Sequence, residues 1–145
     1  MESSEVRYAI FASGSGTNAR ELIKYFKTHP GYGTVVLIVC NRRDAGVLEV
    51  AKEHRVPTVV INSAQLQDEH FFSPILNQYQ VNSIVLAGFL LKVPYYLVAA
   101  YPDRMVNIHP ALLPKYGGKG MYGHYVHRAV IEQGEQESGI TIHLV

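Results

Sequence analysis

The stretch that decides the fold is "RYAIFASGSGTNARELIKYF", Arg7 to Phe26. It opens with the apolar run "RYAIFA", breaks at "SGSGTN", and continues with Leu22, Ile23 and Phe26 at helical intervals. That is a strand, a glycine turn and a helix. Working outward, "TVVLIVC" (Thr34 to Cys40) is apolar without alternation, as a parallel strand covered on both faces must be. Helices therefore have to flank it. The spacing predicts them over Gly46 to His54 and near Gln67 to Tyr79, with a strand "TVVI" (Thr58 to Ile61) between. Further strands are read at "SIVLAG" (Ser83 to Gly88), "RMVNI" (Arg104 to Ile108) and "GITIHLV". Helices are read at Pro94 to Tyr101, opened by proline, and at about His124 to Gln133.

Repeated βα units of this kind predict a Rossmann-like, doubly wound α/β fold, a mostly parallel sheet with helices on both faces. The 145 residues, 48% of them hydrophobic, suit one domain with one sizeable core. No repeat, linker or low-complexity segment divides residues 1 to 145. Thirteen Lys and Arg against 12 Asp and Glu leave a net charge of +1, which offers no basic field to nucleic acid or an anionic membrane. A small-molecule partner is expected instead. The single Cys40 can form no internal disulfide, no run approaches 18 apolar residues, and the N-terminal apolar run is too short for a signal peptide. The expected location is the cytoplasm.

Sheets of this class bind ligands beyond the carboxyl ends of their strands, where "SGSGTN", "NRR", "AGFLLK" and "NIHP" all fall. In the first of these, backbone N–H groups around Gly14 to Asn18 can converge on an anion at the positive end of a helix, and a phosphate is the natural guest. Glycine permits close backbone approach, and Ser15, Thr17 and Asn18 add hydrogen-bonding groups. The plainer alternative is a tight turn with Thr17 or Asn18 as helix cap. Gly14, Gly16 and Ala19 also fit the dinucleotide spacing G-x-G-x-x-[GA]. An NAD site would want an acid after the second strand, where Cys40, Asn41, Arg42 and Arg43 stand; the arginines could instead hold the 2′-phosphate of NADP. An NADP-dependent oxidoreductase is therefore a rival reading, and a solvated turn is the plain reading of the same arginines.

Asn107 and His109 are two residues apart at the end of the fifth strand, so both face one side while Ile108 faces the other. Pro110 and Pro114 restrict the loop. An amide can donate to a developing oxyanion, and an imidazole with an ordinary pKa of about 6.5 can move a proton near neutral pH. This is equipment for acyl transfer, although a strand-end Asn beside a capping His is also common in purely structural roles. No G-x-S-x-G elbow supplies a covalent nucleophile, and Cys40 lacks a His and acid in its sequence neighbourhood. Direct attack by a bound substrate is simpler. His124, His127 and His143 show no metal-ligand spacing, so no metal is assigned.

Taken in order, "SGSGTN", "VLAGFLLKV" and "NIHPALLPKYGG" resemble the glycinamide ribonucleotide transformylase family of formyltransferases, and the likeness spans the chain. The resemblance implies the formyltransferase fold, and transfer of a formyl group from 10-formyltetrahydrofolate to the amine of glycinamide ribonucleotide in purine synthesis. By motif it implies that Gly16, Thr17 and Asn18 hold the ribonucleotide phosphate. Leu90, Leu91, Lys92 and Val93, with Asn107, would line the folate site, and Asn107 and His109 would be catalytic. Its partners would be those two small molecules, and the chain would be a monomer or homodimer. Related formyltransferases acting on methionyl-tRNA share an N-I-H-type loop, but the charge balance here offers no tRNA surface.

The same likeness exposes departures. The family's third catalytic residue, an aspartate shortly after the strand matching "GITIHLV", has no counterpart within residues 1 to 145. The chain is therefore expected to be a formyltransferase N-terminal domain, C-terminally incomplete relative to the family, with an intact phosphate site and poor or no turnover. A non-catalytic nucleotide-binding fragment is the further alternative. Family members often carry Arg where Leu91 stands, and no Arg lies between Arg55 and Arg104. Gly117, Gly118, Gly120 and Gly123 predict a mobile flap.

Overall fold

The computed structural model describes residues 5–109 and 141–144. The helix expected over His124 to Gln133, the glycine flap and His127 lie outside the described residues. Within them, the β strands run β1 (Arg7–Ala12), β2 (Thr34–Cys40), β3 (Thr58–Val60), β4 (Ser83–Ala87), β5 (Met105–His109) and β6 (Thr141–Leu144). The α helices are α1 (Thr17–Thr28), α2 (Gly46–Glu53), α3 (Ser63–Gln67), α4 (Glu69–Gln78) and α5 (Tyr95–Ala100). One sheet has the order β3-β2-β1-β4-β5-β6. Strands β1 to β5 pair in parallel, and β6 joins β5 antiparallel at the edge.

Alternation along the strands sorts side chains to two cores. Tyr8, Ile10, Ile38, Cys40, Val106 and Ile108 pack with Leu22, Ile23 and Phe26 of α1 and Val47 and Val50 of α2. Ala9, Phe11, Leu37, Val39 and Met105 face the other way, onto Leu66, Phe72, Leu76 and Leu97 of α3, α4 and α5. The unbroken apolar runs follow from this: each central strand buries both faces, and burying one Leu, Ile or Phe side chain contributes roughly 1.5–3 kcal/mol. Phe11 sits edge-on to Phe72 and to Phe89, with ring centroids 5.9 and 5.3 Å away.

The helix expected from Gln67 to Tyr79 is two helices. Asp68 is extended and accepts from the His70 and Phe71 amides at 3.1 and 3.3 Å, so it caps α4 and separates it from α3. Asn62 and Gln65 form a reciprocal capping box at the start of α3.

Strand order places the change of direction between β1 and β4, since the chain winds outward from β1 to β2 and β3 and then from β4 to β5. The crevice beyond β1 and β4 is where such sheets take ligands.

Candidate active site

The turn after β1 is built to leave amides available. Gly16 is the N-cap of α1 in a left-handed conformation, φ 86°, and no side chain caps the helix. Neither Thr17 nor Asn18 takes the capping role: the Thr17 hydroxyl instead lies 3.1 Å from that of Ser15. The first intrahelical bond reaches Gly16 O from the Arg20 N–H at 2.8 Å, so the preceding amides of the helix have no intrahelical acceptor. With no acidic residue in its first turn, no carboxylate offsets the positive end of the α1 dipole.

The start of α2 is docked on the same turn. The Val47 N–H donates to Gly14 O at 3.0 Å, and a Cβ at Gly16 would stand 2.7 Å from Val47 Cα. Gly16 is thus required by packing and by φ. Gly14 differs: a Cβ there meets nothing within 4 Å, so the space beside the turn is open at this position. Ala19, the third small position of the dinucleotide-like spacing, is fully buried, which accounts for its size by helix packing. Arg42 Nε lies 3.5 Å from Asp44 Oδ1 with both side chains exposed, as the solvated-turn reading of these arginines expects.

Register carries this turn across the sheet. Phe11 pairs with Leu86 and Leu86 with Asn107; one residue further on, Ala87 pairs with Ile108. Beyond the strands the Ser13 N–H donates to Gly88 O at 3.2 Å. Ser13, Gly88 and His109 therefore occupy one row, and two interstrand steps of about 4.8 Å put the His109 position roughly 10 Å from Ser13. Asn107 is half-buried and lies on the Met105 side of β5, opposite Val106 and Ile108; position 109 falls on the same side by alternation. Strand β6 covers the outer edge of this pair, His143 opposite Asn107 and Thr141 opposite His109.

The segment expected to face the folate runs along the second core. Its Phe89, Leu91 and Val93 side chains are partly buried there, whereas Leu90 is 72% exposed and Lys92 is exposed. Leu90 and Lys92 are thus the two members of the predicted set that offer whole side chains to a ligand. Three ties hold the segment: the Phe89 ring on Phe11, the Leu90 N–H on the Ser13 hydroxyl at 2.9 Å, and Lys92 C=O accepting from Gln67 Nε2 at 3.1 Å. Sequence reading missed Ser13 and Asn41, which are hydrogen-bonded to one another. No sequence signal marks this bond, because the two residues are 28 positions apart. Among the described residues no three His, Cys, Asp or Glu side chains converge as metal ligands, and no helix is long and apolar enough to cross a membrane.

A mostly parallel sheet with an uncapped helix terminus at its switch point, and an Asn-x-His strand end two strands away, defines a Rossmann-like α/β protein. The chain belongs to the formyl transferase family, whose model matches residues 6–145. Among similar proteins, the chloroplastic phosphoribosylglycinamide formyltransferase of Arabidopsis thaliana is 42% identical over 144 residues, covering 96% of this chain and 49% of that one. The phosphoribosylglycinamide formyltransferase of Escherichia coli K12 is 33% identical, covering 94% of this chain and 64% of its own length. The crystal structure of glycinamide ribonucleotide transformylase 1 from Geobacillus kaustophilus superposes with a TM-score of 0.70 at 33% identity, over 98% of this chain and 75% of that one. The chain spans about half the length of the curated plant relatives it matches.

Proposed function

We propose that the protein transfers a formyl group from 10-formyltetrahydrofolate to the amine of glycinamide ribonucleotide, a step of purine synthesis, in the cytoplasm and as a monomer or homodimer. The observation that carries this reading is the single row formed by the uncapped phosphate turn, the Gly88 loop and the Asn107 and His109 strand end. Relatives bearing that activity in their names support it.

In this reading the amides of the α1 terminus, around Gly16, Thr17 and Asn18, take the ribonucleotide phosphate. The donor lies along Leu90 to Val93. The substrate nitrogen attacks the formyl carbon, forming a C–N bond and a tetrahedral centre. Asn107 donates an N–H to its oxyanion, and protonated His109 balances the charge. The bond to the folate nitrogen then breaks, that nitrogen receives a proton, and the substrate nitrogen gives one up, so no external reductant or covalent enzyme intermediate enters. Residues 1 to 145 act as one formyltransferase domain.

The test is tetrahydrofolate release on mixing both substrates with the full-length protein, compared with its His109→Ala variant. Turnover that falls about 100- to 10,000-fold in the variant is expected. Unaltered turnover in a folded variant would remove His109 from the mechanism, and formyl transfer that needs no ribonucleotide amine would remove the acceptor.

A further inference from the structure

Ser13 stands one residue before the phosphate turn and is 1% exposed; with Ser83 it is one of the two buried polar side chains among the described residues. Its hydroxyl is shared between two loops. It donates to Asn41 Oδ1 in the loop after β2 and accepts the Leu90 N–H at 2.9 Å from the loop after β4, while the Ser13 N–H donates to Gly88 O at 3.2 Å. Three strand ends thus meet on one side chain. Gly88 makes the meeting possible, since its φ of 75° turns the chain into the left-handed region as it leaves β4.

We infer that Ser13 is a positioning residue: its hydroxyl fixes the formyl-donor segment 89–93 at a set height beside the phosphate turn and the strand end at 107–109. The assignment rests on the formyl-transfer reading above. The turn itself does not depend on this hydroxyl, because Val47 docks on Gly14 and the α1 amides are ordered by the helix. Loss of the hydroxyl therefore releases the donor side and leaves the ribonucleotide side in place. Ser13→Ala also leaves the Leu90 N–H and the Asn41 carbonyl without this partner.

The experiment is a steady-state comparison of the full-length protein with Ser13→Ala and Ser13→Thr, varying each substrate in turn, with amide hydrogen exchange at Leu90 followed in the parent. In Ser13→Ala, KM for 10-formyltetrahydrofolate is expected to rise about 5- to 10-fold, the loss of one net hydrogen bond, and KM for the ribonucleotide to stay within twofold. Ser13→Thr, which keeps the hydroxyl, should recover most of the donor KM. In the parent, the Leu90 amide should exchange more slowly than the amides of exposed loop residues despite the exposure of its side chain. An equal rise in both KM values would reduce Ser13 to general support of the fold, and an unprotected Leu90 amide would overturn the assignment even if Ser13→Ala failed to fold. A parent that transfers no formyl group defeats the formyl-transfer reading, whereas an active parent and an unchanged donor KM in Ser13→Ala defeat this inference alone.

Discussion

Gly16→Ala would impose two costs on one atom. The residue sits at φ 86°, where a side chain costs about 1–2 kcal/mol, and its new Cβ would stand 2.7 Å from Val47 Cα. That neighbour is backbone at the start of α2, so relief requires α1 and α2 to part, an overpacking strain of about 1–3 kcal/mol. Together these amount to about 2–5 kcal/mol, a fall in Tm of roughly 6–20 °C for a chain of this size. Gly14→Ala, two residues away, meets nothing within 4 Å and has no left-handed φ to satisfy, so its stability should match or exceed the parent's by up to about 1 kcal/mol. The two variants should separate in function as well: Gly14→Ala stays folded while its methyl group intrudes where the phosphate approaches, weakening ribonucleotide binding at least about tenfold. Urea unfolding and ribonucleotide titration of both variants provide the assay. A Gly16→Ala protein as stable as the parent would refute the packing argument, and a Gly14→Ala protein that binds normally would refute the phosphate turn.

Asn107→Ala should lower kcat about 100- to 1,000-fold with little change in Tm, as removal of one oxyanion donor does, and single-turnover kinetics would show it. Asp68→Ala should destabilise the protein by about 1 kcal/mol in urea titration, because two amides at the start of α4 lose their cap. Burial, with the Glu69 and Asp68 carboxylates adding to it, pushes the Tyr96 phenol from 10.0 up to about 12. A raised phenol pKa means that the folded state holds the proton more tightly. This contribution to stability should be complete below pH 10 and lost between pH 10 and 12, with a shallower loss in Tyr96→Phe when unfolding is followed across that range.

The alternation of strands and helices was legible because each parallel strand is an unbroken apolar run, and β1 was read to the residue. The split at Asp68 was not, since an aspartate amid polar residues looks the same on a helix surface and at a cap until its extended backbone is seen. The antiparallel setting of β6 was hidden for another reason: pairing direction depends on the path of the intervening chain, which "GITIHLV" does not encode. At the site, the sequence offered the two-residue spacing of Asn107 and His109 within one strand, and "SGSGTN" suggested an anion site. The packing purpose of Gly16 was out of reach, because it depends on Val47, 31 positions away. Ser13 was invisible for the same reason, its partners Asn41 and Leu90 coming from two other strand ends.

Strand β5 would be the outermost strand of this sheet were it not for the four residues Thr141–Leu144. Their pairing covers a row of backbone groups along Val106, Asn107, Ile108 and His109 that would otherwise be open to any extended chain. The strand that carries Asn107 and His109 therefore depends on β6 to keep its outer edge closed. Lesions that detach β6 should show themselves as self-association through β5, so aggregation and lost turnover would arise together from a single break.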